Sequence, residues 1–188
     1  MNYNFKNNSE QINFESGTYI IVGRNGVGKT TLLHSIKDQC KKQKIPVYHY
    51  DNYTEGGTMQ LSWDLEIGDT ESFKAAAFAS EGERIFHNLG KIMQKIGSFI
   101  RTNGENENGI VIMLDAFDSG LDIDGLRQLQ YVCNIIHNDC PKALILITAN
   151  NYALVKGMNC YDVRENKFIQ FSSYEEYEEF ILKQYKFK

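Results

Sequence analysis

The feature that most constrains this chain is the segment Gly23-Arg24-Asn25-Gly26-Val27-Gly28-Lys29-Thr30, directly behind the apolar stretch Thr18 to Val22. That stretch is rich in β-branched and aromatic residues, which predicts a buried strand. The residues from Thr30 to about Lys42 read as a helix. A G-x-x-x-x-G-K-[ST] segment between a strand and a helix is a turn whose glycines let successive backbone N–H groups converge on one point. The helix that follows adds the positive end of its dipole there. Such a turn suits phosphate oxygens. Lys29 is then expected to reach the β- and γ-phosphates of a nucleotide, and the Thr30 hydroxyl to ligate Mg²⁺. The expected ligand is ATP with magnesium, cradled by Asn25, Gly26, Val27, Gly28, Lys29, Thr30 and Thr31. A glycine-rich strand-to-helix turn that holds no ligand is the competing reading.

A site of this kind needs a carboxylate at the C-terminal end of a neighbouring buried strand to hold the magnesium shell. Asp115 supplies one, behind the continuous apolar run Ile110 to Leu114. Taken alone it would equally be a helix cap or a turn residue. With the glycine-rich segment it makes Lys29 and Asp115 the candidate catalytic pair, and Thr30 and Asp115 the candidate metal ligands.

The rest of the chain alternates strands and helices. Val47 to Tyr50 is a second short strand, and residues 51–70 show no clear period. Glu83 to Ile100 is the most regular helix, because Ile85, Phe86, Leu89, Ile92, Met93, Ile96, Phe99 and Ile100 recur on one face. Arg101 to Asn108 is a polar loop. Residues 122–137 form another helix and Ala143 to Ile147 a third wholly apolar strand. A short helix, strands near Cys160 to Val163 and Phe168 to Phe171, and an acidic helix from Tyr174 to Tyr185 complete the order. This order predicts an α/β fold of three layers, a mainly parallel central sheet with helices on both sides, in one domain spanning residues 1–188.

Composition sets few further limits. A net charge of -4 gives no global attraction for a polyanion, and the only local basic cluster is Lys41-Lys42 with Lys44, which closes a helix and complements its dipole. Cys40, Cys133, Cys140 and Cys160 form no C-x-x-C pair and read as buried, inert thiols. The first sixteen residues are polar, without the apolar core of a signal sequence, and no run approaches membrane-spanning length. The chain is expected to be cytoplasmic, with no direct membrane insertion.

Three motifs in order resemble the ATP-binding cassette (ABC) type of P-loop ATPase. Gly23 to Thr30 with Thr31-Leu32-Leu33 is similar to that family's phosphate loop. Leu114-Asp115-Ala116-Phe117-Asp118-Ser119-Gly120-Leu121-Asp122 resembles its Walker B strand running into the D-loop. Ser80-Glu81-Gly82-Glu83 is similar to its signature motif, at the start of a long helix. The resemblance covers roughly residues 18–150. It implies an ATP-dependent homodimer in which Ser80 and Gly82 of one subunit contact the γ-phosphate held by the other, with Ser119 to Asp122 along the interface. As a local structure, Ser80 to Glu83 also reads as a capping box.

The chain departs from that pattern at three places. The family's catalytic glutamate position is Ala116, its switch histidine is replaced by Thr148-Ala149-Asn150, and only about fifty residues separate Lys29 from Ser80, which implies a shortened helical lobe. A water-positioning carboxylate contributes about 10²–10⁴-fold in such sites, so hydrolysis is expected to be slow or dependent on a partner. Asp118 is the one nearby acid that could substitute, and the role expected of it is a turn or interface contact. Gln60 is a candidate γ-phosphate sensor on position alone. Tyr3 or Phe5 could stack on adenine as the family's aromatic does, with core packing as the alternative. Two other functions stay open. Tyr50-Asp51-Asn52-Tyr53 ends a strand on an acid much as in P-loop kinases of small molecules or nucleotides, and Ala116 with Ala149 suits a nucleotide-gated switch that does not hydrolyse. A protein, nucleic-acid or membrane-component partner is not distinguished.

Overall fold

The computed structural model describes residues 1–7, 10–52, 81–118 and 121–184, with the backbone alone for 81–89. Their order is β1 (Asn2–Asn7), β2 (Glu10–Glu15), β3 (Gly17–Val22), α1 (Lys29–Lys42), β4 (Val47–Asp51), α2 (Glu81–Asn103), β5 (Ile110–Asp115), α3 (Ile123–Asp139), β6 (Ala143–Thr148), α4 (Tyr152–Val155), β7 (Asn159–Asp162), β8 (Lys167–Ile169) and α5 (Tyr174–Lys183). The elements expected from the sequence stand within a few residues of their expected bounds.

The central sheet has the order β4-β5-β6-β3-β7-β8. Strands β3 to β7 are parallel, and β8 runs antiparallel to β7 at one edge. The parallel strands therefore bring their carboxyl ends to one rim, where ligands of open α/β sheets bind. Every residue of β5 and β6 is buried, which explains the apolar runs Ile110 to Leu114 and Ala143 to Ile147: both faces are covered. On one face lie Leu32, Leu33, Ile36 and Cys40 of α1. On the other lie Ile92 and Ile96 of α2, Leu126, Leu129, Cys133 and Ile136 of α3, and Tyr177 of α5. The result is the expected three-layer α/β arrangement. The interval expected to hold a shortened helical lobe falls mostly outside the described residues.

The first sixteen residues form an element that average polarity hid. Strands β1 and β2 pair as an antiparallel hairpin, Tyr3 opposite Phe14 and Phe5 opposite Ile12. These four side chains are buried and their neighbours exposed, the period-two pattern of a one-sided sheet. The hairpin packs in the same layer as α1. Tyr3 and Phe5 are each 1% exposed. The Tyr3 hydroxyl sits against the Ile110 and Lys142 carbonyls and accepts from the Ile110 N–H at 3.1 Å. Those groups belong to the amino ends of β5 and β6, the rim opposite the phosphate loop. Both rings are core residues, and stacking on a base held at that loop is ruled out for them.

All four cysteines are free and buried, as expected. Burial raises the thiols of Cys40, Cys133 and Cys160 to about 12, so they stay protonated and unreactive. Among the described residues, no helix is long and apolar enough to cross a membrane.

Candidate phosphate-binding site

Strand β3 delivers the chain to the carboxyl rim at Gly23. The turn that follows has Gly23 at φ 140°, Gly26 at 81° and Gly28 at 106°, conformations that side-chain-bearing residues rarely adopt. At Gly23 space forbids a side chain as well, since a Cβ would lie 2.8 Å from Val27 Cγ1. Gly28 is the N-cap of α1 and makes no side-chain cap hydrogen bond. The first-turn N–H groups of α1 are thus those an anion would meet, reinforced by the helix dipole.

Lys29 opens α1 and folds back over the turn. Its ammonium donates to Gly23 O at 2.6 Å, to Arg24 O at 3.3 Å and to Asn150 Oδ1 at 2.9 Å. Three donors meet three oxygens. Burial pushes its pKa below the usual lysine range, while the charges of Asp118 and then Asp115 pull the other way. Asn25, Gly26, Thr30 and Thr31 are exposed at the rim, and Val27 and Gly28 are partly covered.

Asp115 ends β5 at 4% exposure. Thr148 Oγ1 donates to its Oδ1 at 2.5 Å and accepts from the Ala116 N–H at 2.7 Å, so one hydroxyl locks both the carboxylate and the peptide beyond it. The sequence reading put this acid on a neighbour of the phosphate-loop strand. In the sheet order β6 stands between β5 and β3, and Thr148 belongs to that intervening strand. Strand alternation sets Asp115 on the α1 side, with Val111 and Met113.

Asp51 is the Cα partner of Asp115 across the β4–β5 pair. It shares the face of Val47, which packs in the α1 layer. Two carboxyl-bearing residues thus stand side by side at the rim, about 4.8 Å apart between strands. The sequence offered Asp51 only as an acid at the end of a strand; its pairing with Asp115 is a product of sheet order. Behind it, His49 Nδ1 lies 3.3 Å from Lys37 Nζ, and the His34 ring meets His49 edge-on at 5.4 Å. Burial, then Lys37 and His34, hold His49 below the ordinary histidine pKa, opposed by Asp115 and Asp51.

The turn after β5 shows why Ala116 and Asp118 differ. Ala116 has φ 50° and an exposed side chain. Asp118 is 9% exposed, and its Oδ2 accepts from the Asn150 N–H at 2.6 Å and the Asn151 N–H at 2.8 Å. It clamps the loop after β6. Asn150 in turn donates from Nδ2 to Asn25 Oδ1 at 2.9 Å, and its carbonyl accepts from the Tyr177 hydroxyl at 2.9 Å. Asn150, which in the sequence stands only as part of the stretch replacing a histidine and as a contact for water or phosphate, is therefore a joint between the phosphate loop, the Asp118 turn and α5. Tyr177 gave no signal in the sequence, because the link to it runs through tertiary contact alone.

Gly82 lies in the first turn of α2. Ser80, Gln60, Ser119 and Gly120 lie outside the described residues. Asp122 caps α3, accepting from the Gly125 N–H at 2.8 Å. Among the described residues, no group of three or more His, Cys, Asp or Glu could hold a metal ion by itself. The donors at the rim are hard oxygens, Thr30 hydroxyl and Asp115 carboxylate, which suit Mg²⁺ when phosphate oxygens and water complete its shell. An open cavity of about 510 Å³, lined by Asn13, Glu15, Tyr19, Phe168 and Gln170 among others, sits toward the opposite rim and plays no part in this site.

No curated protein matches the chain. Among solved structures, the chain is similar to the pCW3 conjugation coupling protein TcpA in its monomer form with ATPgS, with a TM-score of 0.43 and 14% identity over 96% of this chain. The chain spans 56% of that structure, and a likeness of this depth carries no functional inference. A family model described as an AAA domain matches residues 2–111, from the hairpin through the phosphate loop into β5. That match covers more than half of the sequence, and the chain belongs to the AAA domain family.

Proposed function

We propose that this protein binds ATP with magnesium at the Gly23–Thr30 loop, that it dimerises on ATP in the manner of ABC-type ATPases, and that it hydrolyses ATP slowly or only with a partner. The observation that carries the reading is Lys29, whose ammonium is held at the mouth of a glycine-built turn by Gly23 O, Arg24 O and Asn150 Oδ1. A phosphate entering at the N-terminus of α1 offers that ammonium charged acceptors in place of neutral ones, and charge-assisted bonds are roughly twice as strong. Asn25 to Thr31 would supply the cradle, and Thr30 and Asp115 the magnesium ligands. Magnesium bound there would neutralise charge developing on the phosphates. Ser80 and Gly82 would complete the partner subunit's site in the dimer.

Slow hydrolysis is supported by the turn after β5. Ala116 carries no carboxylate, and Asp118 is engaged by two backbone N–H groups. A kinase is the second reading, favoured by Asp51 standing beside Asp115, where it would accept the proton of an acceptor hydroxyl. Gel filtration with and without ATP and Mg²⁺, with phosphate release measured on the same sample, separates these. The leading reading expects a shift from monomer to dimer that Ser80→Arg abolishes, and phosphate release that Ala116→Glu raises. A chain that stays monomeric and consumes ATP only when an acceptor is added is a kinase. Tight binding with no release above the Lys29→Ala control would leave a nucleotide-gated switch.

A further inference from the structure

Helix α5 touches the phosphate site at two points, and neither belongs to the loop-and-carboxylate set above. At its C-terminal end, Gln184 is 8% exposed. Its Oε1 accepts from the Arg24 N–H at 3.0 Å, and its own carbonyl accepts from Arg24 Nη1 at 3.1 Å. The same Oε1 lies 3.5 Å from where a Gly23 Cβ would be, so the amide rests against the bare glycine that starts the turn. The guanidinium at the helix C-terminus adds a favourable interaction with the dipole. About two turns earlier, Tyr177 holds the Asn150 carbonyl. Asn150 bonds Lys29 and Asn25. A closed ring results: Gln184, Arg24, the phosphate loop, Lys29, Asn150, Tyr177 and back along α5.

Within the reading that this site binds a nucleoside triphosphate, we infer that Gln184 is a positioning residue for the phosphate loop and that α5 is the strut fixing the gap between that loop and the Asn150 loop. Two facts separate this from ordinary packing. The Arg24 N–H is a main-chain donor of the loop itself, so the Gln184 oxygen fixes the peptide plane from which the cradle begins. Among the described residues, the Gln184 Nε2 is buried without a partner, an unfavourable state for an amide kept only for packing. Removing the acceptor frees the first peptide of the loop, and the entropy of ordering it then falls on the nucleotide.

The test is ATP affinity, read by titration calorimetry on the full chain, together with the melting temperature without nucleotide and amide hydrogen exchange at Arg24. Gln184→Met keeps the length and volume of the side chain and removes the acceptor. It is expected to weaken ATP binding about tenfold and to speed exchange at Arg24, while the loss of one hydrogen bond from the nucleotide-free fold lowers the melting temperature by only about 2–4 °C. Tyr177→Phe removes only a hydroxyl from the other end of the strut and is expected to weaken ATP binding several-fold, with exchange at Arg24 unchanged. Wild-type affinity in folded Gln184→Met overturns the inference, as does an affinity loss with unaltered exchange at Arg24. If Gln184→Met does not fold, unchanged affinity in Tyr177→Phe overturns it. Failure of the wild type to bind ATP strikes the nucleotide reading itself, and that result is seen before any variant is made.

Discussion

The turn after β3 and the turn after β6 meet at the Lys29 ammonium, yet they are held in place by different means. The first is built locally. Three glycines at positive φ, a following helix and the lysine are consecutive in the chain, and most of the geometry follows from their order. The second has no motif. Thr148, Asn150 and Asn151 are fixed by Asp115, Asp118, Lys29 and Tyr177, from four other elements or turns. A local site survives the loss of a distant contact better than a networked one, whereas the networked loop can respond to events elsewhere. Lys29 is where the two kinds of construction are joined.

The largest break in this comparison is Lys29→Ala. It removes a side chain that ties both turns together and the charge that would face the phosphates, and ATP affinity is expected to fall about 100-fold or more, at the scale of two charge-assisted hydrogen bonds. Titration calorimetry measures it, and a loss under tenfold would mean the backbone turn alone carries binding. Next is Asp118→Ala, which takes the charged acceptor from the N–H groups of Asn150 and Asn151. Urea denaturation is expected to show a loss of about 2–4 kcal/mol. Asp118→Asn keeps one carbonyl oxygen and should retain most of that stability, because both bonds use a single oxygen. If the Asn variant falls as far as the Ala variant, charge rather than geometry holds the clamp.

A smaller effect concerns Ala116, the one residue of the Asp115–Asp118 turn held at positive φ. Ala116→Gly relieves that strain and is expected to stabilise by about 0.5–1 kcal/mol, less the extra freedom glycine brings to the unfolded chain. A melting curve showing no gain would place the strain elsewhere. The smallest is a pH effect at the α1 side of the site. His49 has a folded-state pKa below its unfolded value of 6.5. The unfolded chain therefore binds the proton more readily, and stability is lost as pH falls from above 6.5 toward the folded-state pKa. The urea midpoint should decline between neutral pH and pH 5.5, and His49→Gln should flatten part of that decline. An unchanged slope in His49→Gln would show that other groups cause it.

Much of the fold was legible because β5 and β6 are apolar up to their last residues, Asp115 and Thr148, and lie between turns that break the pattern. The hairpin was overlooked although Tyr3, Phe5, Ile12 and Phe14 alternate as a one-sided strand pair should, since averaging over sixteen residues dilutes a period-two signal carried by four. The site divides in the same way. Lys29, Thr30 and Asp115 were identified as candidates because their chemistry is tied to adjacent sequence. Asp118 reads from the sequence as a turn or interface contact, and only the structure shows which two N–H groups it holds. Asp51 gained its place beside Asp115 from strand order, which short-range pattern does not specify.

What the sequence determined by itself was the glycine turn, the helix behind it and the buried strand that ends on Asp115, because backbone sterics and apolar burial act over a few neighbouring residues. What only the tertiary structure decided was that Thr148 intervenes between the two halves of the site, that Asn150 joins them, and that Tyr177 and Gln184 reach in from α5. Those links are hydrogen bonds between residues 27 to 160 positions apart in the chain. Their partners are selected by which strands become neighbours and which helices cover them, and no local propensity encodes that choice.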